Sequence, residues 1–471
     1  MLFGDLPITD MTVNSVPTNN IKDSCSTDYS FSETLIKVLQ HPTVASKSFL
    51  ITIGDRTVGG MVARDQFVGP YQVPVADYSM SLRSFTSNKG EVLTVGEKPT
   101  IAINNPAASM RMALAEALCN MSGVYIKGLD EVQVSANWMA ATGEEVEDLS
   151  LLEGVEALSK CCLDLDVSVP VGKDSLSMRT KWNEGSEELT VKSPLSGIIT
   201  AMAPVDDVTV SVTPELKINH DSQLLFVRLN DEKRLAGSIF SEVTKSDYSD
   251  TPDIDDMSLF KKMFVSIQDL ISKKMVLALH DISDGGLIIS LLEMAFTKKV
   301  GLEILIDSLD ERNLNENLFA EEIGFVIQVQ DENIDKVIKS LSSNNILVDC
   351  IGKVSGSDGF SISNSNKELF NESVTKLEKH WREVSHAIQA SRDNQSIADS
   401  ELDLLEDKTY SGLFAEESFD EKIFETFNIK QSKPKVAILR EQGVNGQMEM
   451  AAAFTLAGFD AVDVHMQDLL D

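Results

Sequence analysis

The chain alternates between two patterns of apolar positions. Helical segments repeat apolar residues with a period of ~3.6, as in "ASMRMALAEALCNM", "SLLEGVEALSKCCLDL" and "LIISLLEMAFTK". Short runs rich in β-branched residues indicate strands, as in "SFLITIG", "GIITAMA", "SQLLFVRL" and "IGFVIQVQ". Strands that alternate with helices in this way predict an α/β or α+β fold. No internal repeat of short period is present, which argues against a solenoid.

These patterns and the local composition divide the chain into five regions. Residues 1–46 are polar and end in the helical segment "SETLIKVLQ", so they are predicted to be a linker and helix belonging to a preceding region. Residues 47–206 are predicted to be one domain and residues 207–386 a second, because each region contains both strands and helices. Residues 387–432 are predicted to be an acidic linker, and residues 433–471 to begin a further domain.

The last two regions are assigned from charge and from one short motif. Residues 393–425 contain 11 acidic and only 2 basic residues without sustained periodicity, which is typical of an extended or partly disordered linker. Residues 433–471 follow the order strand, helix, strand in "KVAIL", "GQMEMAAAFTLAGF" and "AVDVHM". This is one βαβ unit, and a parallel unit of this kind needs further strands for stability. We therefore expect the domain to continue beyond Asp471.

The amino-acid composition indicates which classes of binding partner are not expected. The chain has 74 acidic and 41 basic residues and a formal net charge of −33, which repels phosphate groups, so nucleic acids and anionic membranes are not expected as partners. The start has no signal-peptide pattern and no run approaches the ~18 apolar residues of a membrane span, so a cytoplasmic location is expected. Neither a disulfide framework nor a zinc site is indicated by the five cysteines, which are Cys25, Cys119, Cys161, Cys162 and Cys350.

Glu116 and Asn120 are the most informative polar pair. They lie at positions i and i+4 of a predicted helix and therefore share one face of it. A carboxylate and a carboxamide at this spacing suit a hard cation with oxygen ligands. The alternative, an exposed polar stripe, is much commoner for such a pair in general. The remainder of this helix is largely apolar, which favours the cation site.

Two further acidic motifs are candidates for the same kind of site. Asp77 ends the apolar segment of "QVPVADYS", where a carboxylate can point into a cleft. In "ALHDISDGG", Asp281 follows His280 at the end of a predicted strand, and Ser283 and Asp284 precede two glycines and a helix. Glycines at such a turn allow a close backbone approach, and a helix N-terminus favours anions. The alternative is that Ser283 or Asp284 only caps the helix.

A lysine-containing segment is a candidate for phosphate binding. "VGKDSLSM" places Lys173, Asp174 and Ser175 after the predicted strand "VSVPV", and a lysine with hydroxyl groups in a loop can hold a phosphate. The alternative is an ordinary turn with a solvated lysine. The chain contains neither a Walker A motif nor a G-x-G-x-x-G fingerprint, so a nucleotide would be held in another way. Five isolated histidines are interpreted as structural, namely His41, His220, His380, His386 and His465.

Seven motifs occur in an order that resembles one enzyme family. They are "PTVASKSFL", "DRTVGGMVARDQFVGPYQVPVADYS", "LAEALCN", "SANWM", "PVGKDSLSM", "HDISDGG" and "LREQGVNGQMEMAAAF". In this order they resemble the large, single-chain phosphoribosylformylglycinamidine synthases, the PurL family. The resemblance covers almost the whole chain and is weakest in residues 1–30 and in the acidic linker.

The resemblance implies an architecture and a reaction. The synthetase core of the family has two PurM-like (AIR synthetase-like) repeats, each a ferredoxin-like half packed on a larger α/β half, and a flavodoxin-like class I glutamine amidotransferase follows. ATP, formylglycinamide ribonucleotide and glutamine are converted to formylglycinamidine ribonucleotide, glutamate, ADP and phosphate in purine biosynthesis. This chain is similar to the second repeat and the start of the glutaminase, so the first repeat and the rest of the glutaminase are expected as intramolecular partners.

The resemblance also implies residue roles. The second repeat of the family holds an auxiliary Mg²⁺ and ATP or ADP, and the metal ligands carry over to Asp77, Glu116, Asn120 and Asp281. The nucleotide contacts carry over to Lys47, Ala76 and Ser283. The catalytic ATP site and the glutaminase cysteine are expected elsewhere, so no catalytic residue is assigned and the chain alone is expected to be inactive. Two alternatives are a non-catalytic scaffold subunit that acts in trans and another PurM-like enzyme, such as AIR synthetase or selenophosphate synthetase.

Overall fold

The structure is a computed structural model that describes part of the chain. The described residues are 13, 29–54, 56, 60–218, 220–309, 311–416, 418 and 433–470. The sequence predictions for residues 1–12, 14–28 and 419–432 lie outside the described residues. The predicted mixed α/β fold is confirmed, and most strand pairs of its two large sheets are antiparallel.

The N-terminal half is a sheet covered by two long helices. Its elements are α1 (Phe31–Leu39), α2 (Ser48–Ile51), β1 (Val62–Arg64), β2 (Ser79–Leu82), β3 (Gly90–Gly96), α3 (Pro99–Ala102), α4 (Pro106–Met121), β4 (Gln133–Met139), α5 (Glu145–Leu165), β5 (Ser168–Ser175), β6 (Arg179–Glu184), β7 (Glu187–Lys192) and β8 (Ser196–Val205). In the described ranges, six strands form one sheet in the order β1-β2-β3-β8-β4-β5, and β6 and β7 form a separate hairpin. Helix α4 packs on β3, β8 and α5.

The C-terminal half is a larger sheet with helices on both faces. Its elements are β9 (Ser222–Arg228), α6 (Ile239–Thr244), α7 (Met257–Ser272), β10 (Ala278–Asp281), α8 (Gly286–Phe296), β11 (Leu302–Leu305), α9 (Leu314–Phe319), β12 (Gly324–Gln330), α10 (Ile334–Ser342), β13 (Leu347–Val354), β14 (Gly359–Ser363), β15 (Glu368–Ser373), α11 (Val374–Arg392) and α12 (Gln395–Asp403). The described part of this sheet has seven strands in the order β10-β12-β9-β13-β11-β14-β15.

The two halves share a hydrophobic core. One buried cluster combines Leu118 of α4 with Leu225 of β9 and Phe264 of α7. A second cluster lies on the other face of the larger sheet and contains α1, α8 and α11. Helix α4 is buried along most of its surface, as expected for a helix that is apolar on nearly every side. The halves are therefore held in one relative orientation by apolar burial, and a cleft between them has fixed walls.

Two local predictions are wrong because tertiary contacts override the local pattern. "SFLITIG" was predicted to be a strand, but its first residues form α2. Helix α2 is held by α11, since the backbone N–H of Phe49 donates to Ser385 Oγ at 2.7 Å. "VGKDS" was predicted to be a loop after a strand, but it continues β5 as far as Ser175, where β5 pairs in parallel with β4.

The acidic region is more structured than its composition predicts. Helix α11 continues to Arg392, and residues 395–403 form α12, which packs on α11. The following residues then run over the N-terminal half, where Leu413 N–H donates to Pro70 O at 2.9 Å. Burial of Ala398 and Leu405 explains why this charged segment is ordered despite its weak periodicity.

The C-terminal residues form the predicted βαβ unit. Strand β16 (Lys435–Arg440) and strand β17 (Asp460–His465) are parallel and in continuous register, and α13 (Gln447–Leu456) connects them. A search of the described residues finds no helix that is both long enough and apolar enough to cross a membrane.

Candidate functional site

A cleft of about 750 Å³ lies between the two halves. Its walls come from the segment before β2, from β3 and α4 of the N-terminal half, and from the end of β10 in the C-terminal half. The predicted site residues that line it are Lys47, Ala76, Asp77, Asn120, Asp281 and Ser283. Folding thus brings together residues that are more than 200 positions apart in the sequence, from Lys47 to Ser283.

Asp77, His280 and Asp281 form a compact cluster at the base of the cleft. Their nearest oxygen and nitrogen atoms all lie within 4.8 Å of one another. His280 Nδ1 lies 2.9 Å from Asp77 Oδ1 and 3.5 Å from Asp281 Oδ1, and its Nε2 lies 2.9 Å from Glu293 Oε2. The side chains of Asp77 and Asp281 are each only 4% exposed, so their charges are largely removed from water.

Burial and the neighbouring charges act in opposite directions on this cluster. Burial raises the pKa of Asp77 to about 6, although the nearby charge of His280 lowers it. Burial lowers the pKa of His280, but the charge of Asp77 and the proximity of Asp281 and Glu293 outweigh burial and raise that pKa well above its ordinary value. His280 Nε2 is hydrogen-bonded to Glu293, whereas Nδ1 lies close to both aspartates without a hydrogen-bond partner among the described residues.

The donor set fits a hard divalent cation. Asp281 Oδ2 is buried and has no hydrogen-bond partner within the described part of the chain. A buried carboxylate oxygen without a partner is costly unless a cation or water satisfies it. The available donors are the carboxylate oxygens of Asp77 and Asp281 and a ring nitrogen of His280. Carboxylate oxygens are the ligands that Mg²⁺ prefers.

Glu116 is not part of the cleft lining, and each of its carboxylate oxygens accepts a hydrogen bond. Its Oε2 accepts the backbone N–H of Glu97 at 2.7 Å, and its Oε1 lies 3.1 Å from Lys98 Nζ and also accepts a hydrogen bond from Ser283 Oγ. Glu116 and Asn120 lie on the same helix, and Asn120 Nδ2 donates to Val95 O at 2.9 Å. Their joint role in holding a cation stays a prediction. Glu116 is buried, so the alternative of an exposed polar stripe is wrong for it.

Lys47 is held at the rim of the cleft by the segment before α2. Its Nζ donates to Thr43 O at 2.9 Å and also to Ala45 O. Burial lowers the pKa of Lys47, and the charges of Glu293 and Asp284 only partly oppose this effect. The same segment is fixed to α11, because Ser46 N–H donates to Trp381 O at 3.0 Å.

Helix α8 begins beside the cleft with a buried carboxylate at its N-terminus. Glu321 Oε1 accepts the backbone N–H groups of Gly285 and Ile239, each at 2.9 Å. Burial, with the charge of Asp284, raises the pKa of Glu321 to about 8, although Lys98 and both N–H donors oppose this. Glu321 therefore satisfies one N–H group at the N-terminus of α8 and one at the start of α6, which the sequence pattern did not indicate.

Comparisons with known proteins match three separate segments of the chain to described protein domains. Residues 46–204 match the FGAR-AT PurM_N-like domain, and residues 225–363 match the C-terminal domain of AIR synthase related proteins. Residues 433–471 match the CobB/CobQ-like glutamine amidotransferase domain. The phosphoribosylformylglycinamidine synthase of Schizosaccharomyces pombe is 46% identical over 446 residues, which is 92% of this chain. The chain belongs to the phosphoribosylformylglycinamidine synthase family.

The chain matches only part of the length of each relative. The chain spans only 34% of the length of the S. pombe synthase. Among solved structures, Thermotoga maritima PurL complexed with ATP matches with a TM-score of 0.55 at 10% identity, over 74% of this chain and 52% of that one. T. maritima PurL complexed with FGAR matches with a TM-score of 0.53 at 9% identity, over 74% of this chain and 54% of that one. At such identities these likenesses show the fold alone.

The predicted phosphate segment lies away from the cleft. Lys173, Asp174 and Ser175 are on β5, at the edge of the six-stranded sheet, and they are not part of the cleft lining. Lys173 Nζ contacts Ser175 Oγ at 3.0 Å. A role of these residues in binding phosphate stays a prediction. That prediction assumed a loop, whereas the residues lie in an extended strand.

The sequence patterns did not assign a role in the site to His280, and they missed Lys98 and Glu321 altogether. His280 precedes Asp281 in "ALHD", and an imidazole next to a candidate ligand was the available signal. Lys98 and Glu321 carried no signal, because each acts through contacts with residues that are distant in sequence.

We expect Glu321→Gln to stabilise the chain increasingly as the pH rises. Folding raises the pKa of Glu321 from 4.5 to about 8, so the folded state favours the protonated carboxyl. The stability from this group is present below the unfolded pKa and is lost as the pH rises through the folded value. Glutamine keeps an oxygen that accepts both backbone N–H groups but cannot ionise.

The melting temperatures of Glu321→Gln and of the unmodified chain, measured between pH 5 and pH 9, test this expectation. The variant should melt a few degrees above the unmodified chain at pH 9 and show a much smaller difference at pH 5. Glu332→Gln changes an exposed glutamate and serves as the control, with no pH-dependent difference expected. A constant difference for Glu321→Gln across this range would contradict the raised pKa of Glu321.

Proposed function

We propose that this chain is part of a synthase that converts formylglycinamide ribonucleotide to formylglycinamidine ribonucleotide with glutamine as the nitrogen donor. In this reaction ATP phosphorylates the amide oxygen of the substrate, and ammonia released from glutamine displaces the phosphate to form the amidine. Support comes from family membership, from the two PurM-like domain matches and from the glutamine amidotransferase match at residues 433–471. The first PurM-like repeat and further glutaminase residues would complete the enzyme.

We infer that the role of the described cleft is to bind a magnesium nucleotide rather than to carry out catalysis. Asp77 and Asp281, together with Glu116 and Asn120, would hold Mg²⁺, which neutralises phosphate charge when bound. Lys47 would balance the remaining charge of the phosphates of ATP or ADP at the rim of the cleft. Ala76 and Ser283 would contact the nucleotide from the two opposite walls.

The observation that carries this inference is the buried pair Asp77 and Asp281. These carboxylates come from different halves of the molecule and meet at the base of a cleft that is large enough for a nucleotide. Asp281 Oδ2 has no partner among the described residues, although it is buried. His280 lies beside both carboxylates, and a bound cation would satisfy this carboxylate oxygen of Asp281.

The expected result is that Mg-ADP binds the chain and raises its melting temperature. The free energy of binding adds to the stability of the folded state, because the unfolded chain has no such site. Isothermal titration calorimetry and thermal unfolding measure binding and stabilisation, respectively. ADP with EDTA and adenosine with Mg²⁺ are the controls, and each should bind more weakly. No binding of Mg-ADP at millimolar concentration would overturn the proposed site.

We further infer a cytoplasmic location. The cysteines in the described part of the chain, Cys119, Cys161, Cys162 and Cys350, are all free thiols, which is usual for proteins of a reducing compartment. The net charge of −33 supports small-molecule substrates rather than nucleic acids as partners.

A further inference from the structure

Lys98 is a buried cation next to the proposed nucleotide site. Its side chain is only 2% exposed, and the residue belongs to the connection between β3 and α3. Its Nζ lies 2.7 Å from Asp284 Oδ1, 3.1 Å from Glu116 Oε1 and 3.1 Å from Ser283 Oγ. One ammonium group therefore contacts three side chains, and its three N–H donors suffice for these three acceptors.

These contacts join the two halves of the molecule. Glu116 belongs to α4 of the N-terminal half, whereas Ser283 and Asp284 lie in the turn between β10 and α8 of the C-terminal half. The main chain of Lys98 is itself fixed to α4, because Ser109 Oγ donates to Lys98 O at 2.6 Å. The position of the ammonium group is therefore set by the backbone and not only by its partners.

Lys98 forms ion pairs with two carboxylates. Its Nζ contacts Asp284 and Glu116, and the side chain of Glu116 is only 9% exposed. Removing one member of such a buried group leaves the others without compensation. Lys98 thus keeps Glu116 in its observed orientation, and Ser283 Oγ, which donates to Glu116, is held with it.

We propose that Lys98 is a positioning residue of the metal–nucleotide site. This inference rests on the proposed function of the cleft. Lys98 holds Glu116 and Ser283, one from each half, so that the donors of the site are in place before Mg²⁺ and the nucleotide enter. Residues that orient metal ligands in this way typically change metal affinity by about 10–100-fold when they are replaced.

The direction of the change in metal affinity distinguishes a positioning role of Lys98 from two simpler roles. If Lys98 acted only as a nearby positive charge, its removal would reduce repulsion and Mg²⁺ would bind more tightly. If Lys98 only stabilised the fold, its removal would lower the melting temperature and leave the dissociation constant of Mg-ADP unchanged. A positioning role predicts weaker binding of both Mg-ADP and the metal alone.

The experiment measures binding of Mg-ADP by calorimetry and of Mn²⁺ alone by electron paramagnetic resonance to the 471-residue chain. Lys98→Met should weaken both by about tenfold or more. The double variant Lys98→Met with Asp284→Asn removes one positive and one negative charge together, so it leaves the net charge unchanged. It should show the same weakening.

Arg111→Met is the matched control. Arg111 of α4 forms two 2.6 Å contacts with Asp253 of the C-terminal half, so the pair also joins the halves, but it lies outside the cleft lining. This variant should lower the melting temperature and leave both dissociation constants unchanged. Equal weakening by Arg111→Met and Lys98→Met would overturn the proposal, because the effect would then come from loss of contact between the halves.

The outcomes also separate the two inferences. If the unmodified chain binds neither Mg-ADP nor Mn²⁺, the proposed function of the cleft fails. If the unmodified chain binds both and the Lys98 variants bind equally well or more tightly, the cleft is retained and the positioning role of Lys98 is rejected.

Discussion

Asp77→Ala is expected to abolish most of the thermal stabilisation that Mg-ADP gives to the chain. Asp77 is a carboxylate at the base of the cleft, and its side chain is only 4% exposed. Without Asp77, only one of the two buried aspartates, Asp281, remains to hold the cation. A ligand at about 100 times its dissociation constant stabilises a protein by ~2.7 kcal/mol, so the loss is readily measured.

The quantity to compare is the shift in melting temperature with and without Mg-ADP. The variant itself is expected to be less stable than the unmodified chain, because His280 loses a charged partner at 2.9 Å. Asp174→Ala is the control, since Asp174 lies on β5 and away from the cleft. A full shift in Asp77→Ala would exclude Asp77 as a ligand. Loss of the shift in Asp174→Ala would instead move the site to the segment around Lys173.

Trp381→Ala is expected to lower the free energy of unfolding by about 3–5 kcal/mol and to weaken nucleotide binding. The ring of Trp381 is almost fully buried and lies 5.4 Å from that of Phe296. Its Nε1 donates to Val44 O at 2.8 Å, and its backbone oxygen accepts from Ser46 N–H at 3.0 Å. The segment that carries Lys47 is therefore attached to α11 at this residue.

Urea denaturation measures the stability of this variant, and calorimetry measures its affinity for Mg-ADP. Trp381→Phe is the informative control, because it keeps a buried aromatic ring but removes the N–H donor and part of the ring volume. It should cost less than Trp381→Ala, about 1–3 kcal/mol, since Val44 O loses its buried donor. If Trp381→Ala left the affinity unchanged in the folded fraction, the segment before α2 would not depend on α11 for its position.

The candidate ligands were predictable because each is marked by its local sequence. Glu116 and Asn120 are four positions apart on a helix that is otherwise apolar, and the helix forms as predicted. Asp77 follows an apolar segment, and Asp281 ends a strand in a motif with two glycines. The periodicity of 2 or ~3.6 that marks strands and helices depends on backbone geometry, which is local.

Other parts of the site were not predictable from these patterns. The segment "SFLITIG" has the composition of a strand, but contacts with Ser385 on α11 hold its first residues in a helix. Lys98 lies in a short connection without a motif, and its importance follows only from carboxylates on two other elements. Glu321 was missed for the same reason, since its partners are backbone N–H groups of Gly285 and Ile239.

The amino-acid sequence alone determined the order of the elements, the mixed α/β class, the family and the candidate ligand types. Only the tertiary structure decided that Asp77 and Asp281 share the base of one cleft, that Lys173 lies outside it, and that Lys98 connects Glu116 to Asp284. The physical reason is that element type depends on neighbours along the chain. Burial, charge pairing and pKa depend on groups that approach one another only when the two halves pack.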